Sequence, residues 1–418
     1  MTVTDTGSAA RGTARTPPVI LTINAGSSSI KFALFQPGAS LRRLVHGAIE
    51  RIGLTGTLLV QHGIDDADEF SRTITAADHA SAAAVLMESL RNRLGSRTLA
   101  AIGHRVVHGG PRHSDAQPVT PELLRELREL VPFDPQHLPQ QIALIEALRG
   151  CAADVPHVAC FDTAFHHDMP AVAQLLAIPR RYAARGLRRY GFHGLSYAYL
   201  MEELARIAGT SIARGRIVLA HLGNGASLAA VHEGRSVDTT MGFTPAGGVM
   251  MSTRSGDIDP GLLSYFTSAE NMNANEFSRL MNFGSGLLGV SETSPDMRDL
   301  LAHATNDVRA AEAVALFCYQ VKKSVGAFAA VLGGLDTLVF AGGIGERAPA
   351  VRARISEGLG FLGIELSTAR NSADAPLIST DESRVAVRVI RTDEEQMIAK
   401  AVCHVLGITI GRSPHEDN

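Results

Sequence analysis

The chain has 418 residues, a length that favours two domains, and 45% of them are hydrophobic, which is enough for ordinary packed cores. Its 39 basic and 42 acidic residues give a formal charge of −3, so no basic surface predicts nucleic-acid binding. No apolar run is expected to cross a membrane. The four cysteines (Cys151, Cys160, Cys318, Cys403) lack metal-ligand spacing, which favours free thiols in a reducing cytoplasm.

Both ends of the sequence are predicted to lie outside the folded body. Residues 1–18 are rich in Thr, Ala, Arg and Pro and are predicted to form a disordered tail, and residues 411–418 are predicted to be frayed. The tail lacks the apolar segment of a secretory signal, and its shortness and Asp5 argue against a transit peptide.

The first ordered segment, LTINAGSSSIKFALF (21–35), is predicted to be a hairpin within a β-rich region that spans residues 19–75. Gly26 would let the backbone approach a ligand, and Lys31 would place a positive charge beside it. A small turn with convergent N–H groups binds anions, although an ordinary Gly/Ser hairpin turn is the alternative. The turn is not a Walker A loop, because no Gly-Lys-Ser/Thr opens a helix.

The pattern of apolar residues predicts the elements that follow. Helices are predicted at 78–94, 121–131, 137–149, 260–267, 274–281 and 306–332, and buried strands at 98–107 and 157–165. A second hairpin, at 216–238, repeats the plan of residues 20–35 and indicates two domains of one plan. Residues 336–349 (DTLVFAGGIGERAP) are predicted to be a buried strand that delivers a glycine turn to a helix, which suits a nucleotide.

Four short motifs carry residues that suit anion chemistry. Arg254 lies among small residues in MSTRSGDIDP, and arginine is the side chain suited to bidentate recognition of carboxylate or phosphate. Arg105 ends a strand in GHRVVHGG, where a structural ion pair is the simpler interpretation. His193 lies between two glycines in YGFHG, and TDEEQ (392–396) places acids at a predicted helix N-terminus, where they also interact favourably with the helix dipole.

Taken together, NAGSSSIKF, GHRVVHGG, FDTAFH, YGFHG, HLGNGAS, GFTP, TRSGDIDP, GGIGE and TDEE resemble the acetate kinase family in kind and order, over residues 19–405. The resemblance implies an α/β fold of two actin-like (RNase H-like) domains, each of βββαβαβα plan, around a central cleft. Domain I would comprise residues 19–164 plus 399–418, and the nucleotide-binding domain II residues 165–398. The family's members are typically homodimers, and the resemblance implies ATP as the co-substrate and Mg²⁺, or alternatively Mn²⁺, as the metal ion.

The resemblance also assigns roles to individual residues. Arg105 and Arg254 match the arginines that bracket the acyl carboxylate and the transferring phosphoryl group. His193 matches the histidine that stabilises that group, and Asp162 matches an acidic active-site residue. A carboxylate acceptor, with a pKa near about 4, is already ionised at neutral pH. We therefore expect Asp162 to orient an arginine or a metal-bound water instead of moving a proton.

The resemblance assigns further site residues to the metal, the phosphate side, the acyl pocket and the nucleotide. Asn24 and Glu394 match residues associated with the metal, and Lys31 matches a lysine on the phosphate side. Val107, Phe192 and Pro245 match three walls of the small acyl pocket. The nucleotide-binding segments match His221, Leu222, Gly223, Asn224, Gly225, Asp296, Met297, Arg298, Gly343, Ile344, Gly345, Glu346 and Arg347.

The sequence departs from the family pattern mainly beside the site. The family's PLHNP is replaced by VPFDPQHLP (131–139), and with one deleted position Phe133 takes the place of the pocket leucine while the motif's histidine has no counterpart. His137 then matches a different, downstream histidine of the family. TPAGG (244–248) and MSTRSG (251–256) stand for TPLEG and MGTRSG, and Arg347 stands for an asparagine.

Three functions remain open on the sequence. The first is ATP-dependent, reversible phosphorylation of a short-chain carboxylate, with acetate as the default and propionate next. The second is a related kinase for another acid or for a hydroxyl, and TRSGDIDP together with HRVVHGG argues against the hydroxyl. The third is a nucleotide-dependent binding protein without transfer, against which the retained Arg105, Asp162, His193 and Arg254 argue.

Overall fold

The computed structural model describes residues 17–26, 28–63, 69–95 and 97–410. The predicted tail, apart from residues 17 and 18, and the predicted frayed segment 411–418 lie outside these ranges. The described chain forms two mixed β-sheets with helices packed against them.

The first sheet has the strand order β5-β4-β3-β2-β1-β6-β8-β7 within the described residues. Strand β1 is antiparallel to β2 and parallel to β6, which is in turn parallel to β8. The strand bounds are β1 (Val19–Ala25), β2 (Ser29–Gln36), β3 (Arg42–Glu50), β4 (Leu58–Gly63), β5 (Phe70–Thr73), β6 (Leu99–Val106), β7 (Gln117–Pro118) and β8 (His157–Phe161).

The second sheet, in the same described part of the chain, has the order β11-β10-β9-β12-β13. Here β9 is antiparallel to β10 and parallel to β12, which is parallel to β13. The strand bounds are β9 (Ile217–Leu222), β10 (Ala226–His232), β11 (Arg235–Thr239), β12 (Thr337–Ala341) and β13 (Ala386–Val389).

The two sheets share one plan. In each, three consecutive antiparallel strands are followed by two parallel strands on the far side of the first, as β3-β2-β1-β6-β8 and β11-β10-β9-β12-β13. Parallel neighbours need crossover connections, and helices lie between β5 and β6, between β6 and β8, between β11 and β12, and between β12 and β13. The two predicted hairpins and the duplicated α/β plan are therefore confirmed.

Helices cover the sheets and connect the parallel strands. Among the described residues they are α1 (His79–Leu94), α2 (Pro121–Glu129), α3 (Leu138–Cys151), α4 (Ala171–Gln174), α5 (Arg180–Ala183), α6 (Gly194–Ala208), α7 (Thr210–Ala213), α8 (Gly261–Ala269), α9 (Ala274–Phe283), α10 (Gly286–Ser291), α11 (Met297–His303), α12 (Val308–Val331), α13 (Gly342–Arg347), α14 (Pro349–Ser356), α15 (Thr368–Ser372) and α16 (Glu394–Leu406).

Helix α16 returns to the first sheet. It packs against β1, β2, β6 and β8, and its buried Ile398, Val402 and Cys403 join Ile20 and Cys160 in one apolar cluster. The predicted domain boundary at residue 398 falls inside this helix. Because a helix packs as one unit, we propose that the return to domain I begins at Glu394, and the remaining domain bounds stay predictions.

Helix α12 is long and apolar enough, by length and composition, to cross a membrane, contrary to the expectation from sequence. Its buried Val314, Phe317 and Val321 belong to the largest apolar cluster, and the helix packs against β9 and β10. A core helix passes the same test, so this feature is weak support for a membrane span.

Candidate active site

A cleft of about 790 Å³ lies where the two hairpins approach each other. Both hairpins contribute to its walls, the first through Gly26, Ser28, Ser29 and Lys31 and the second through His221, Gly223, Asn224 and Gly225. Most predicted site residues line it, namely Asn24, Lys31, Arg105, Val107, Asp162, Phe192, His193, His221, Gly223, Asn224, Gly225, Pro245, Arg254, Asp296, Met297, Arg298, Gly343, Ile344, Glu346, Arg347 and Glu394.

Three predicted residues do not line the cleft. Leu222 is fully buried in the core, as the last residue of β9. Gly345 is buried in α13, where its carbonyl accepts a hydrogen bond from Nη1 of Arg352 at 2.9 Å. Phe133 packs behind the cleft, with ring centroids 5.0 Å from Phe243 and 5.7 Å from His108.

Arg105 is held by carboxylates at the end of β6. Its Nε donates to Oδ2 of Asp162 at 2.9 Å, its Nη2 pairs with the same oxygen, and its Nη1 donates to Oδ1 of Asn24 at 3.1 Å. Burial disfavours the guanidinium charge, but Asp162 and Glu394 outweigh burial and raise the pKa of Arg105 above its usual range. Burial raises the pKa of Asp162, whose fully buried Oδ1 has no hydrogen-bond partner.

Two glutamates at the start of α16 enter the cleft beside Asn24. Nδ2 of Asn24 donates to Glu394 at 2.8 Å and to Glu395 at 3.2 Å. Burial opposes ionisation of both carboxyls. Nevertheless Arg105 and His221 bring the pKa of Glu394 below its usual value, whereas burial and the charge of Glu394 raise that of Glu395.

Arg254 lies on the opposite wall among neutral acceptors. Its Nη1 donates to the carbonyl oxygen of Pro245 at 3.1 Å, and its Nη2 lies 3.3 Å from Nε2 of His137. The other ring nitrogen of His137 lies 2.9 Å from Oδ1 of buried Asp134. Burial lowers the pKa of Arg254, the charge of Asp134 opposes that effect in part, and the charge of Arg105 adds to it.

His193 begins α6 in a strained backbone conformation. Its φ of 60° is left-handed, and a non-glycine residue held there is typical of functional sites. The next residue must be small, because a Cβ on Gly194 would lie 2.2 Å from the carbonyl oxygen of Asp162. The tight approach of α6 to the end of β8 therefore places His193 beside the Arg105–Asp162 pair.

The His193 ring stacks on His221 at the end of β9. Their centroids are 4.3 Å apart, and each Nδ1 contacts a serine hydroxyl, Ser227 at 2.9 Å for His193 and Ser196 at 2.8 Å for His221. Burial lowers the pKa of both rings, and for His193 the neighbouring His221 and the arginines Arg105 and Arg254 lower it further, well below 6.5. His193 is therefore a neutral ring at neutral pH.

The predicted nucleotide-binding residues lie along the second-sheet side of the cleft. Gly342 and Gly343 follow β12 directly, as predicted, and Oε1 of Glu346 accepts hydrogen bonds from the backbone N–H of Gly342 at 3.0 Å and of Thr392 at 3.2 Å. Asp296 caps α11 through the N–H of Arg298 at 2.8 Å. These two carboxylates are thus engaged in fixing the backbone of the wall.

The structure adds cleft residues that the sequence interpretation missed. His137 and Glu395 line the cleft beside Arg254 and Glu394. His137 was aligned to another histidine of the family, and Glu395 was left as an acid that benefits from the helix dipole. Helical spacing could have identified Glu395, which lies three and four positions before the buried Ile398 and Ala399 of α16. The contact of His137 with Arg254 spans 117 positions and leaves no local pattern.

The chain is similar to known proteins in both sequence and fold. The family model of the acetokinase family matches residues 19–400. An acetate kinase of Rhodopseudomonas palustris is 43% identical over 390 residues (92% of this chain, 97% of the relative), and a propionate kinase of Citrobacter rodentium is 43% identical over 395 residues (92% and 96%). The crystal structure of Porphyromonas gingivalis acetate kinase superposes with a TM-score of 0.83 at 36% identity, covering 93% of this chain and all of the other.

A duplicated α/β plan around a cleft lined by arginines, histidines and glycine turns defines a phosphotransferase of the actin-like fold. The chain belongs to the acetokinase family, and it is a kinase that phosphorylates a carboxylate group with ATP.

Proposed function

We propose that this chain transfers the γ-phosphoryl group of ATP reversibly to acetate, with propionate as a slower substrate. The observation that carries the proposal is the convergence of Arg105, His193 and Arg254 beside the small apolar wall of Val107, Phe192 and Pro245. Acids of this size are also named for the similar proteins, which include both acetate and propionate kinases.

The reaction places one anion against another. A carboxylate oxygen attacks the γ-phosphorus, a P–O bond forms, and the bond to the bridging oxygen breaks so that ADP leaves with the electron pair. No proton has to move, because the acid is already ionised. Catalysis then depends on positioning and charge neutralisation, which Arg105, Arg254 and the donor His193 supply from two sides.

Asp162 has an orienting role in this scheme. Its Oδ2 receives two donors from Arg105, which fixes the plane of the guanidinium before substrate binds. Val107 is fixed in a similar way, because its N–H donates to Oε1 of buried Gln141 at 2.9 Å. The acid would therefore meet a prearranged cation and pocket wall, which lowers the cost of orienting it.

Mg²⁺, with Mn²⁺ as a substitute, fits the carboxylates at the start of α16. Hard oxygen ligands suit Mg²⁺, which keeps several waters and needs few protein ligands. Glu394 and the unpaired Oδ1 of Asp162 offer such oxygens. The carbonyl of Asn24 accepts from Arg105 and would contribute its second lone pair. When bound, the ion would neutralise phosphate charge, and we expect no turnover in excess EDTA.

We propose a homodimer formed through α8 and α9. Neither helix has a buried residue, and their exposed Leu262, Leu263, Tyr265 and Phe283 form an apolar surface that a second copy would cover. Sedimentation analysis of the wild type and of Leu262→Glu tests this. A monomeric wild type would contradict it.

Buried free thiols at Cys160, Cys318 and Cys403 support the cytoplasm as the compartment.

The test of the activity is a coupled assay with ATP, Mg²⁺ and acetate, propionate or butyrate. We expect acetate to give the highest kcat/KM, with propionate within about 10- to 200-fold, since one methylene is worth about 1–3 kcal/mol in such a pocket. Butyrate as the best substrate would overturn the choice of acid. ATP binding without turnover of any acid would favour a binding protein.

A further inference from the structure

A buried hydrogen-bond chain runs from α6 to the cleft histidine. The hydroxyl of Tyr197 lies 2.5 Å from Oγ of Ser227, which lies 2.9 Å from Nδ1 of His193. Tyr197 and Ser227 are both fully buried, and neither lines the cleft. In the described chain the hydroxyl of Tyr197 has no other hydrogen-bond contact.

Counting the protons of this chain selects one arrangement. If Tyr197 donates to Ser227, Ser227 donates to Nδ1, and the ring proton of neutral His193 must be on Nε2. If Nδ1 carries the proton instead, Nδ1–H donates to Ser227, and the proton of either the Tyr197 or the Ser227 hydroxyl is left without an acceptor among the described residues. An unpaired buried donor is costly, so the first arrangement is favoured.

Nε2 of His193 and the guanidinium of Arg254 both face the space beside Gly225. A Cβ built on Gly225 would lie 3.1 Å from Nε2 of His193 and 3.7 Å from Nη1 of Arg254. The absence of a side chain at Gly225 therefore keeps open a space that both groups face. A proton on Nε2 is a donor in that space, whereas a bare Nε2 would present a lone pair to an anionic phosphoryl group.

We propose that Tyr197 and Ser227 are positioning residues that hold His193 in the Nε2–H tautomer, so that a neutral ring donates to the transferring phosphoryl group. The inference rests on the proposed function for its catalytic consequence, but the tautomer itself does not depend on turnover. A doubly protonated ring would also carry Nδ1–H and would leave a buried hydroxyl proton unpaired in the same way. The ring therefore has a single proton, and its position decides whether the ring attracts or repels the substrate.

The direct test is ¹⁵N NMR of the full chain labelled at histidine. His193→Gln identifies the His193 signals among those of the 16 histidines. The expected wild-type spectrum at pH 7.5 has a protonated Nε2 and an unprotonated Nδ1 for this ring. A protonated Nδ1 would overturn the proposal even if the enzyme turns over acetate. The expected tautomer in an inactive enzyme would instead count against the proposed function.

Kinetics provides the second test. Ser227→Ala should lower kcat by about 10²-fold, the lower end for one donor to developing charge, with the KM for acetate unchanged and both His193 tautomers visible. Ser227→Thr, which keeps the hydroxyl, should restore most of the rate, and Tyr197→Phe should fall between them. Tyr199→Phe, on the same helix, is the matched control and should have wild-type rate and tautomer. A loss in Ser227→Ala without any change of tautomer would contradict the positioning role.

Discussion

The two arginines of the cleft have opposite surroundings. Arg105 is paired with Asp162 and lies close to Glu394, whereas Arg254 contacts a backbone carbonyl and a histidine nitrogen. No carboxylate forms an ion pair with Arg254 among the described residues. The protein therefore pairs Arg105 directly with a carboxylate, whereas Asp134 acts on Arg254 only from a distance, with His137 between them. The two arginines thus have different roles: Arg105 orients the acid, and Arg254 neutralises the charge of the transferring phosphoryl group.

The largest expected effect is that of Arg254→Ala. Because Arg254 has no direct carboxylate partner, its charge is available to the transferring phosphoryl group, and its removal should lower kcat by about 10²–10³-fold, the range for one donor to a transition state. Steady-state kinetics with acetate and ATP measures this. Arg254→Lys keeps the positive charge but lacks the planar guanidinium that can donate two parallel hydrogen bonds, and it should recover part of the rate. A change confined to KM would contradict the assignment.

Arg105→Ala should lose less kcat, with part of its loss in the KM for the acid. Arg105→Ala should lower the free energy of unfolding more than Arg254→Ala does. It leaves the buried Asp162 unpaired, at a cost of about 3–5 kcal/mol. Urea unfolding of the variant and of Arg105→Ala/Asp162→Asn measures this difference. The double variant should regain part of the lost stability, and equal stabilities for the two would show that Asp162 is compensated elsewhere.

His137→Ala should lower kcat by about tenfold, which is less than the usual loss on removing one donor to the transition state. The loss is smaller because the ring orients Arg254 but does not carry its charge. An extra histidine inserted between Phe133 and Asp134 should leave kcat unchanged, since His137 already contacts Arg254. A higher rate in the insertion variant would mean that the missing motif histidine has a separate place in the site.

The pH dependence separates the neutral ring from the charged arginines. His193 has a pKa well below 6.5 in the folded chain, so kcat should stay flat between about pH 8 and 6.5, the usual histidine value. The unfolded chain takes up the proton first, so this ring lowers folding stability as the pH falls below 6.5. The pH profiles of kcat and of the free energy of unfolding check both expectations. A fall of kcat near pH 6.5 that is present in the wild type and absent in His193→Gln would contradict a neutral ring.

The smallest expected effect concerns acyl length. Val107→Ala enlarges the pocket beside Arg105 and should raise the propionate-to-acetate ratio of kcat/KM by about tenfold, since one methylene is worth about 1–3 kcal/mol. Phe133→Leu should leave that ratio unchanged, because Phe133 packs behind the cleft against Phe243. A shift with Phe133→Leu would restore the pocket role that the sequence suggested.

The sequence predicted what local pattern controls. Alternation and small turns gave both hairpins, and apolar spacing gave α1, α3 and α12 within a few residues of their bounds. Helix α6 was missed, because His193 caps it in a left-handed conformation with no side-chain hydrogen bond. Its start therefore lacks the Ser, Thr, Asp or Asn that marks a helix N-terminus.

Long-range contacts account for the other differences. Phe133 was placed in the pocket by its position beside a motif, but its ring turns towards Tyr190 and Phe243. The link from Asp134 through His137 to Arg254 joins residues far apart in the chain. Such contacts depend on how the two halves meet, and one sequence without its relatives contains no measure of that.

The return of α16 to the first sheet has a consequence for how the enzyme matures. Glu394–Leu406 is synthesised after every other described element, yet it supplies both a wall of the cleft and the apolar face that covers β1 and β6. During translation, Ile20 and Cys160 of the first sheet therefore stay uncovered by this helix until it has left the ribosomal exit tunnel. Catalytic competence would appear only once Glu394–Leu406 has emerged, and nascent chains stalled before residue 394 would be inactive and prone to capture by chaperones.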